Sequence, residues 1–315
     1  MECWIIIYFN TCFIVYNLLV HSIDCQCVLP LTKGTWLSSS RGTWTIPENR
    51  TEIQNFKASL TPSVTIHDLA CYSSSGNRYI LGTSIQLFST IFIHSYTCLE
   101  IRTTSNSPST YELYFVTDID VSTGEPFNSN VSAVCDGTVE ETGVNTNIIV
   151  ADGVDIETVK QSLPDVIRGE YIVTITDQNG QTSNQTTMSS CNDTSAFYFT
   201  ETGNVTQIVS AVGFSDSGIL YNLKSFSSVG VTFIYTYNID TSVDSSTTYR
   251  FSCWAVSQVS STVYATVYPE VCQDGQNSTS VPRGGQILIL EASGIEFKIA
   301  NLLIRSQFYL KALLT

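Results

Sequence analysis

Two histidines beyond the N-terminal segment, His67 and His94, are the side chains that could serve as a general base beside a Ser or Cys nucleophile. The nearest approach to a hydrolase elbow is Gly213-Phe-Ser-Asp-Ser-Gly218. Its Gly-x-Ser-x-x-Gly spacing is wrong for the tight strand-to-helix turn that exposes such a serine. Both histidines are therefore read as ordinary strand or turn residues, and no catalytic residue is assigned. Paired carboxylates are a second option. In Asp118-Ile-Asp-Val-Ser-Thr-Gly-Glu125, oxygen-bearing side chains recur at every second position, as a calcium loop requires. Gly124 falls one place later than the turn glycine of an EF-hand loop, and no flanking helices are evident. The competing reading is a solvated acidic turn. No HExxH pair, Gly-rich phosphate loop or dinucleotide fingerprint occurs. No cofactor or metal ion is expected.

Cysteines carry more information. Residues 4–20 hold no charge and end at Val20-His21-Ser22, the pattern of a secretory signal peptide (residues 1–22) cleaved after Ser22. The rival is an uncleaved membrane anchor, which is near the lower length limit and is interrupted by Asn10 and Asn17. Cleavage removes Cys3 and Cys12. It leaves Cys25, Cys27, Cys71, Cys98, Cys135, Cys191, Cys253 and Cys272. An even number in an oxidising compartment implies a disulfide framework. No C-x-x-C pair is present, so a metal site is disfavoured. Connectivity stays open, because eight cysteines admit on the order of a hundred pairings. Acceptor sequons at Asn49, Asn130, Asn184, Asn192, Asn204 and Asn277 agree with export and are candidate glycosylation sites.

These residues must be positioned by strands. Lys and Arg are scarce, while Val, Ile, Thr and Tyr, which suit a pleated half-buried surface, are common. No helical apolar stripe stands out before the C-terminal tail. The reading is all-β: two tandem disulfide-stabilised antiparallel β-barrel or β-sandwich modules. The net charge of −14 repels phosphate and anionic lipid, so nucleic acid is not an expected partner.

Gly34-Thr-Trp36 and Gly42-Thr-Trp44, separated by Ser38-Ser-Ser-Arg41, predict two short strands or a hairpin. Further strands are expected at residues 52–56, 64–67, 79–81, 91–93, 97–102 and 111–117, giving a first module over 23–135. Residues 103–159 contain ten acids and no Lys or Arg, and 136–162 is taken as an acidic linker with a short helix at 155–162. A second module over 163–272 has its clearest strands at 171–176, 231–237, 249–256 and 262–267. The tail, 273–315, combines a polar spacer, a strand near 287–290 and a partly helical end whose charges argue against a membrane span.

The halves echo each other. Leu163-Pro164 with Gly169-Glu-Tyr171 matches Leu29-Pro30 with Gly34-Thr-Trp36, or else Arg168-Gly-Glu-Tyr171 matches Arg41-Gly-Thr-Trp44. Cys135 would match Cys253, with no counterpart for Cys98 near residue 218. A diverged duplication accounts for these, with chance similarity as the alternative.

Cys27-Val-Leu-Pro30, Gly34-Thr-Trp36, Cys71, Cys98-Leu-Glu-Ile101, Tyr111-Glu-Leu-Tyr114 and Cys135 resemble cysteine-framework modules of secreted invertebrate proteins, known as domains of unknown function. Ser189-Ser-Cys191 and Tyr249-Arg-Phe-Ser-Cys-Trp254 are similar to companion modules of those proteins. The resemblance implies fold and an extracellular location, and no activity. Gly-x-Trp near the start of a β-rich chain also resembles lipocalins. The expectation is a secreted, glycosylated, non-catalytic binding protein. Its partner would be an extracellular glycan, a protein or a small apolar ligand. Two alternatives stand: a lipocalin-like carrier with an apolar cavity, and an extracellular hydrolase with a cleft joining a His to Ser and Asp. A recognition protein would instead show filled cores and an exposed aromatic or acidic face.

Overall fold

The structure is a computed structural model. It describes residues 27–61, 64–88, 91–116, 120–123, 135–139, 146–176, 180–201, 218–240, 243, 249–281 and 283–293. The signal peptide, Cys25, Asn130, Asn204, residues 213–217 and the end of the tail lie outside these.

Alternating apolar and polar residues build two antiparallel barrels. The first half contains β1 (Gly34–Ser38), β2 (Gly42–Ile46), β3 (Glu52–Ile53), β4 (Ala58–Thr61), β5 (Val64–Ile66) and β6 (Leu69–Ser75). It continues with β7 (Arg78–Phe88), β8 (Ile91–Thr103), β9 (Thr110–Phe115), β10 (Asp120–Thr123) and β11 (Asn147–Ala151). Eight of these form a meander, β1-β2-β3-β6-β7-β8-β9-β11, with β11 returning to β1. Its seam lies between β2 and β3. There Thr45 and Gln54 exchange two backbone hydrogen bonds of 2.9 Å, which nearly close the barrel. Two pieces are inserted: the separate β4–β5 hairpin, and β10, which pairs with the outer part of β8.

The second half contains β12 (Glu170–Thr176), β13 (Thr182–Ser189), β14 (Ala196–Glu201), β15 (Ile219–Ser228) and β16 (Val231–Tyr237). It ends with β17 (Phe251–Val259), β18 (Thr262–Pro269) and β19 (Gln286–Ala292). They form a closed eight-stranded barrel in chain order, with β19 paired to β12.

The aromatic residues of Gly34-Thr-Trp36 and Gly169-Glu-Tyr171 sit in the first strands of the two barrels. Trp36 is buried and donates its indole N–H to the Thr32 carbonyl at 2.9 Å. Tyr171 likewise turns back and donates to the Arg168 carbonyl at 3.0 Å. Gly169 has φ +146°, and a Cβ there would stand 3.3 Å from the Tyr171 hydroxyl, so glycine suits this close approach. In the first barrel Trp36, Trp44, Phe56, Leu99 and Leu113 lie in one apolar cluster. In the second, Trp254 packs against Phe197 and Phe199 at 4.8 and 6.0 Å. Burying each such large side chain contributes roughly 1.5–3 kcal/mol.

Three disulfides pin the framework: Cys27–Cys71, Cys98–Cys135 and Cys253–Cys272. The last two are equivalent in topology. Each joins the sixth strand of its barrel to the segment between the seventh and eighth. Cys98 therefore corresponds to Cys253, and Cys135 to Cys272, in place of the expected match of Cys135 with Cys253. Cys27–Cys71 ties the segment before β1 to the fourth strand. In the second barrel Asn222 of the fourth strand does this work, donating to the Gln161 and Ser162 carbonyls at 3.2 and 3.0 Å. Cys191, expected in a disulfide, is exposed and has no cysteine partner among the described residues, which do not include Cys25.

Other expectations are corrected. Residues 147–151, assigned to the acidic linker, are β11 and complete the first barrel. The short helix of that linker is one 3-10 turn, Ile156–Thr158, capped by the Asp155 side chain. Residues 286–292, assigned to the tail, are β19 and close the second barrel. Of the two repeat alignments, that of Arg41-Gly-Thr-Trp44 with Arg168-Gly-Glu-Tyr171 fails, since Trp44 lies in a second strand and Tyr171 in a first.

The barrels pack side by side. Leu37, Ile148 and Val150 on the outside of the first meet Leu223, Tyr235, Tyr237, Phe251 and Cys253 on the outside of the second. Cys253 thus faces the joint while its neighbour Trp254 faces the barrel interior. Polar contacts fix the joint: Tyr235 donates to the Thr146 carbonyl at 2.7 Å, and Lys224 meets Glu112 at 2.7 Å.

Candidate recognition surface

The outer face of β8 carries Phe92, His94 and Tyr96 at alternate positions, so their rings repeat at the two-residue rise of a strand. Phe92 and His94 are 6.5 Å apart with an interplanar angle of 18°. His94 and Tyr96 are 6.4 Å apart at 12°. Tyr72 extends the row, its ring meeting that of Tyr96 edge-on at 5.6 Å. Tyr72 is the extra residue of a β-bulge between Cys71 and Ser73, and a bulge re-aims the side chain it carries.

Gly82, opposite Tyr96 in the ladder, provides the seat for the row. A Cβ at Gly82 would lie 2.5 Å from the Tyr96 ring and 2.7 Å from the Ser95 carbonyl oxygen. The ring covers the bare glycine, which leaves Tyr96 buried while Phe92 and Tyr72 are 45% and 42% exposed. Exposed Ser84 and Gln86 of β7 stand opposite His94 and Phe92 and flank the rings with neutral polar groups. The Ser84 hydroxyl and His94 Nδ1 are 2.7 Å apart.

Below the row the same face becomes charged. Glu100 lies between Arg78 and Arg102 at 3.0 and 2.6 Å. Burial alone would raise the Glu100 carboxyl, but hydrogen bonds and charge from Arg102 and Arg78 outweigh it and hold it below its usual range. Arg102 also covers Tyr114, 4.2 Å from the ring centroid. Tyr114 donates to Glu112, which reaches Lys224 of the second barrel. Arg78 further donates to the Cys135 carbonyl, locking the Cys98–Cys135 loop onto this face.

The structure thus brings His94 to Ser84, and leaves His67 exposed at the end of the β4–β5 hairpin. No carboxylate hydrogen-bonds to His94 among the described residues. Asp120–Thr123, half of the expected calcium loop, is strand β10 opposite Tyr96 to Ile93, and an extended strand does not wrap a cation. No cluster of three metal-binding side chains occurs among the described residues. Asn49, Asn192 and Asn277 are exposed, as sequon residues must be. Asn277 Oδ1 accepts from the Thr279 hydroxyl at 3.1 Å, so this sequon is held in a tight turn. Asn184 lies on β13. No helix among the described residues is long and apolar enough to cross a membrane. No family model, curated protein or solved structure matches the chain.

Sequence reading missed the row as a unit. Tyr72, Gly82 and Tyr96 are brought together by strand pairing and a bulge. The local signal available was the alternation of rings in Phe92-Ile-His-Ser-Tyr96.

Proposed function

We propose that this is a secreted, non-catalytic recognition protein that binds a neutral glycan through the Tyr72–Tyr96–His94–Phe92 row. The near-parallel Phe92, His94 and Tyr96 rings on a disulfide-held sheet, with Phe92 and Tyr72 exposed at the two ends of the row, carry this reading. Aromatic faces favour the weakly positive C–H face of a pyranose, and Ser84 and Gln86 lie beside them to meet hydroxyls. The row and its β7 flank contain no Asp, Glu, Lys or Arg, and Asp120 of β10 stands opposite Tyr96, which disfavours an anionic ligand. Barrel topology is compatible with the lipocalin-like alternative. Recognition on the outside is favoured because the Trp254, Phe197 and Phe199 rings occupy the interior of the second barrel. The hydrolase alternative has the Ser84–His94 contact, with no carboxylate hydrogen-bonded to His94 among the described residues to orient it.

Three disulfides favour an oxidising compartment, hence export. Matched topology, the Trp36 and Tyr171 units before or within the first strands, and two equivalent disulfides favour a duplicated module. A glycan array probed with wild-type protein and with the Tyr72→Ala/Phe92→Ala variant tests the reading. Binding to neutral glycans by the wild type, lost by about tenfold or more in the equally stable variant, is expected. Equal binding by both, or none by either, contradicts it.

A further inference from the structure

Seven buried polar side-chain atoms lack a hydrogen-bond partner among the described residues, and three of them, Ser40 Oγ, Arg41 Nε and Trp44 Nε1, belong to the β1–β2 hairpin. Chance would scatter such atoms, each of which carries a desolvation cost. Two of these side chains, Arg41 and Trp44, lie beside one ring, that of Phe56. The Arg41 guanidinium carbon lies 5.9 Å from the centroid of Phe56 and 5.3 Å from that of Phe115. The wholly buried Trp44 ring lies 5.4 Å from Phe56. Arg41 Nε and Trp44 Nε1 carry N–H groups that can donate and cannot accept.

Charge points the same way. The chain has 28 acids and 14 bases, and Lys33, Arg78, Arg102, Lys160, Arg168 and Lys224 each pair with a carboxylate. Arg41, like Arg50 and Arg283, has no carboxylate partner among the described residues. Lys57 has none among them either, and its Cδ passes 3.8 Å from where a Cβ on Gly42 would stand, beside Arg41. Arg41 is half-buried, and its buried Nε lacks an acceptor among the described residues, which is costly unless something supplies one. Over this end of the barrel lies the β4–β5 hairpin, whose Ala58 and Ile66 pack into the same cluster as Phe56. The hairpin forms its own two-stranded sheet, so it can shift without breaking the barrel ladder.

We infer that the mouth of the first barrel, beneath the β4–β5 hairpin, binds a small organic anion: a carboxylate on an apolar body. The carboxylate accepts from Arg41 and Trp44, with Lys57 adding charge. The apolar body lies against Phe56, Phe115 and the underside of the hairpin. This site is separate from the aromatic row on β8 and does not depend on it.

Octanoate, octanol and octylamine share one chain and differ in head group, so they are suitable probes for titration calorimetry. Wild-type protein is expected to bind octanoate at least about tenfold tighter than octanol, and octylamine more weakly still. Arg41→Gln should reduce octanoate affinity to that of octanol while leaving octanol binding unchanged. Trp44→Phe keeps the ring and removes the N–H, and should weaken octanoate severalfold. It also serves if the Arg41 variant does not fold. Equal binding of octanoate and octanol, binding of none of the three, or undiminished octanoate affinity in both variants overturns the proposal. Such results would assign the unpaired donors to internal water alone.

Discussion

Gly82 and Glu100 show how single residues hold the β7–β8 face that carries the aromatic row. A side chain at Gly82 would collide with both the Tyr96 ring and the Ser95 carbonyl, and the backbone contact cannot swing aside. Gly82→Val is expected to cost roughly 1–3 kcal/mol in denaturant unfolding and to displace Tyr96. Glu100 gives a pH signature. Its folded carboxyl lies below the ordinary value because Arg102 and Arg78 outweigh burial. A depressed carboxyl stabilises above the unfolded value near ~4.3. That stabilisation is lost as pH falls through the folded value. Glu100→Gln should therefore be less stable than wild type by roughly 1–3 kcal/mol near neutral pH, the gap closing below pH ~4. Denaturation curves across pH check this, and a pH-independent gap would contradict it. At this scale the sequence was partly readable. Trp36 and Trp44 announced a hairpin, and they face each other in its register. The aromatic row was not readable, because Tyr72 and Tyr96 meet only through strand pairing and a bulge.

Strands and their ties set the next scale. The first barrel closes the segment before β1 with Cys27–Cys71, and the second uses Asn222 to grip Gln161 and Ser162. Asn222→Ala should cost about 1 kcal/mol, since two part-buried hydrogen bonds are lost. Replacing Cys98 and Cys135 together by Ser should cost about 3 kcal/mol, in line with the loop they close. Thermal unfolding of each variant measures these losses. Two strands were misplaced in the sequence reading, each for a physical reason. In β11, Ile149 faces the barrel core while Ile148 and Val150 face the second barrel, so both sides are apolar and the period-two signal disappears. In β19 the alternation was visible, but the long Cys272–Gln286 connection hid its membership of the second barrel. The all-β class itself followed from the abundance of β-branched and aromatic residues.

At the scale of the molecule, two self-contained barrels are joined by an apolar seam and a few polar contacts. Lys224→Ala with Tyr235→Phe removes the ion pair to Glu112 and the bond to Thr146. This variant should separate one unfolding transition into two in calorimetry, because each barrel keeps its own core and disulfides. A single transition at lowered temperature would show that the barrels depend on each other. The measurement that bears most directly on the two-barrel framework is peptide mass spectrometry of the unreduced protein. It should return Cys27 linked to Cys71, Cys98 to Cys135 and Cys253 to Cys272, with no bridge among these six crossing between barrels. Free thiols at these six positions, or a crossed pairing, would contradict both the two-barrel framework and the oxidising compartment.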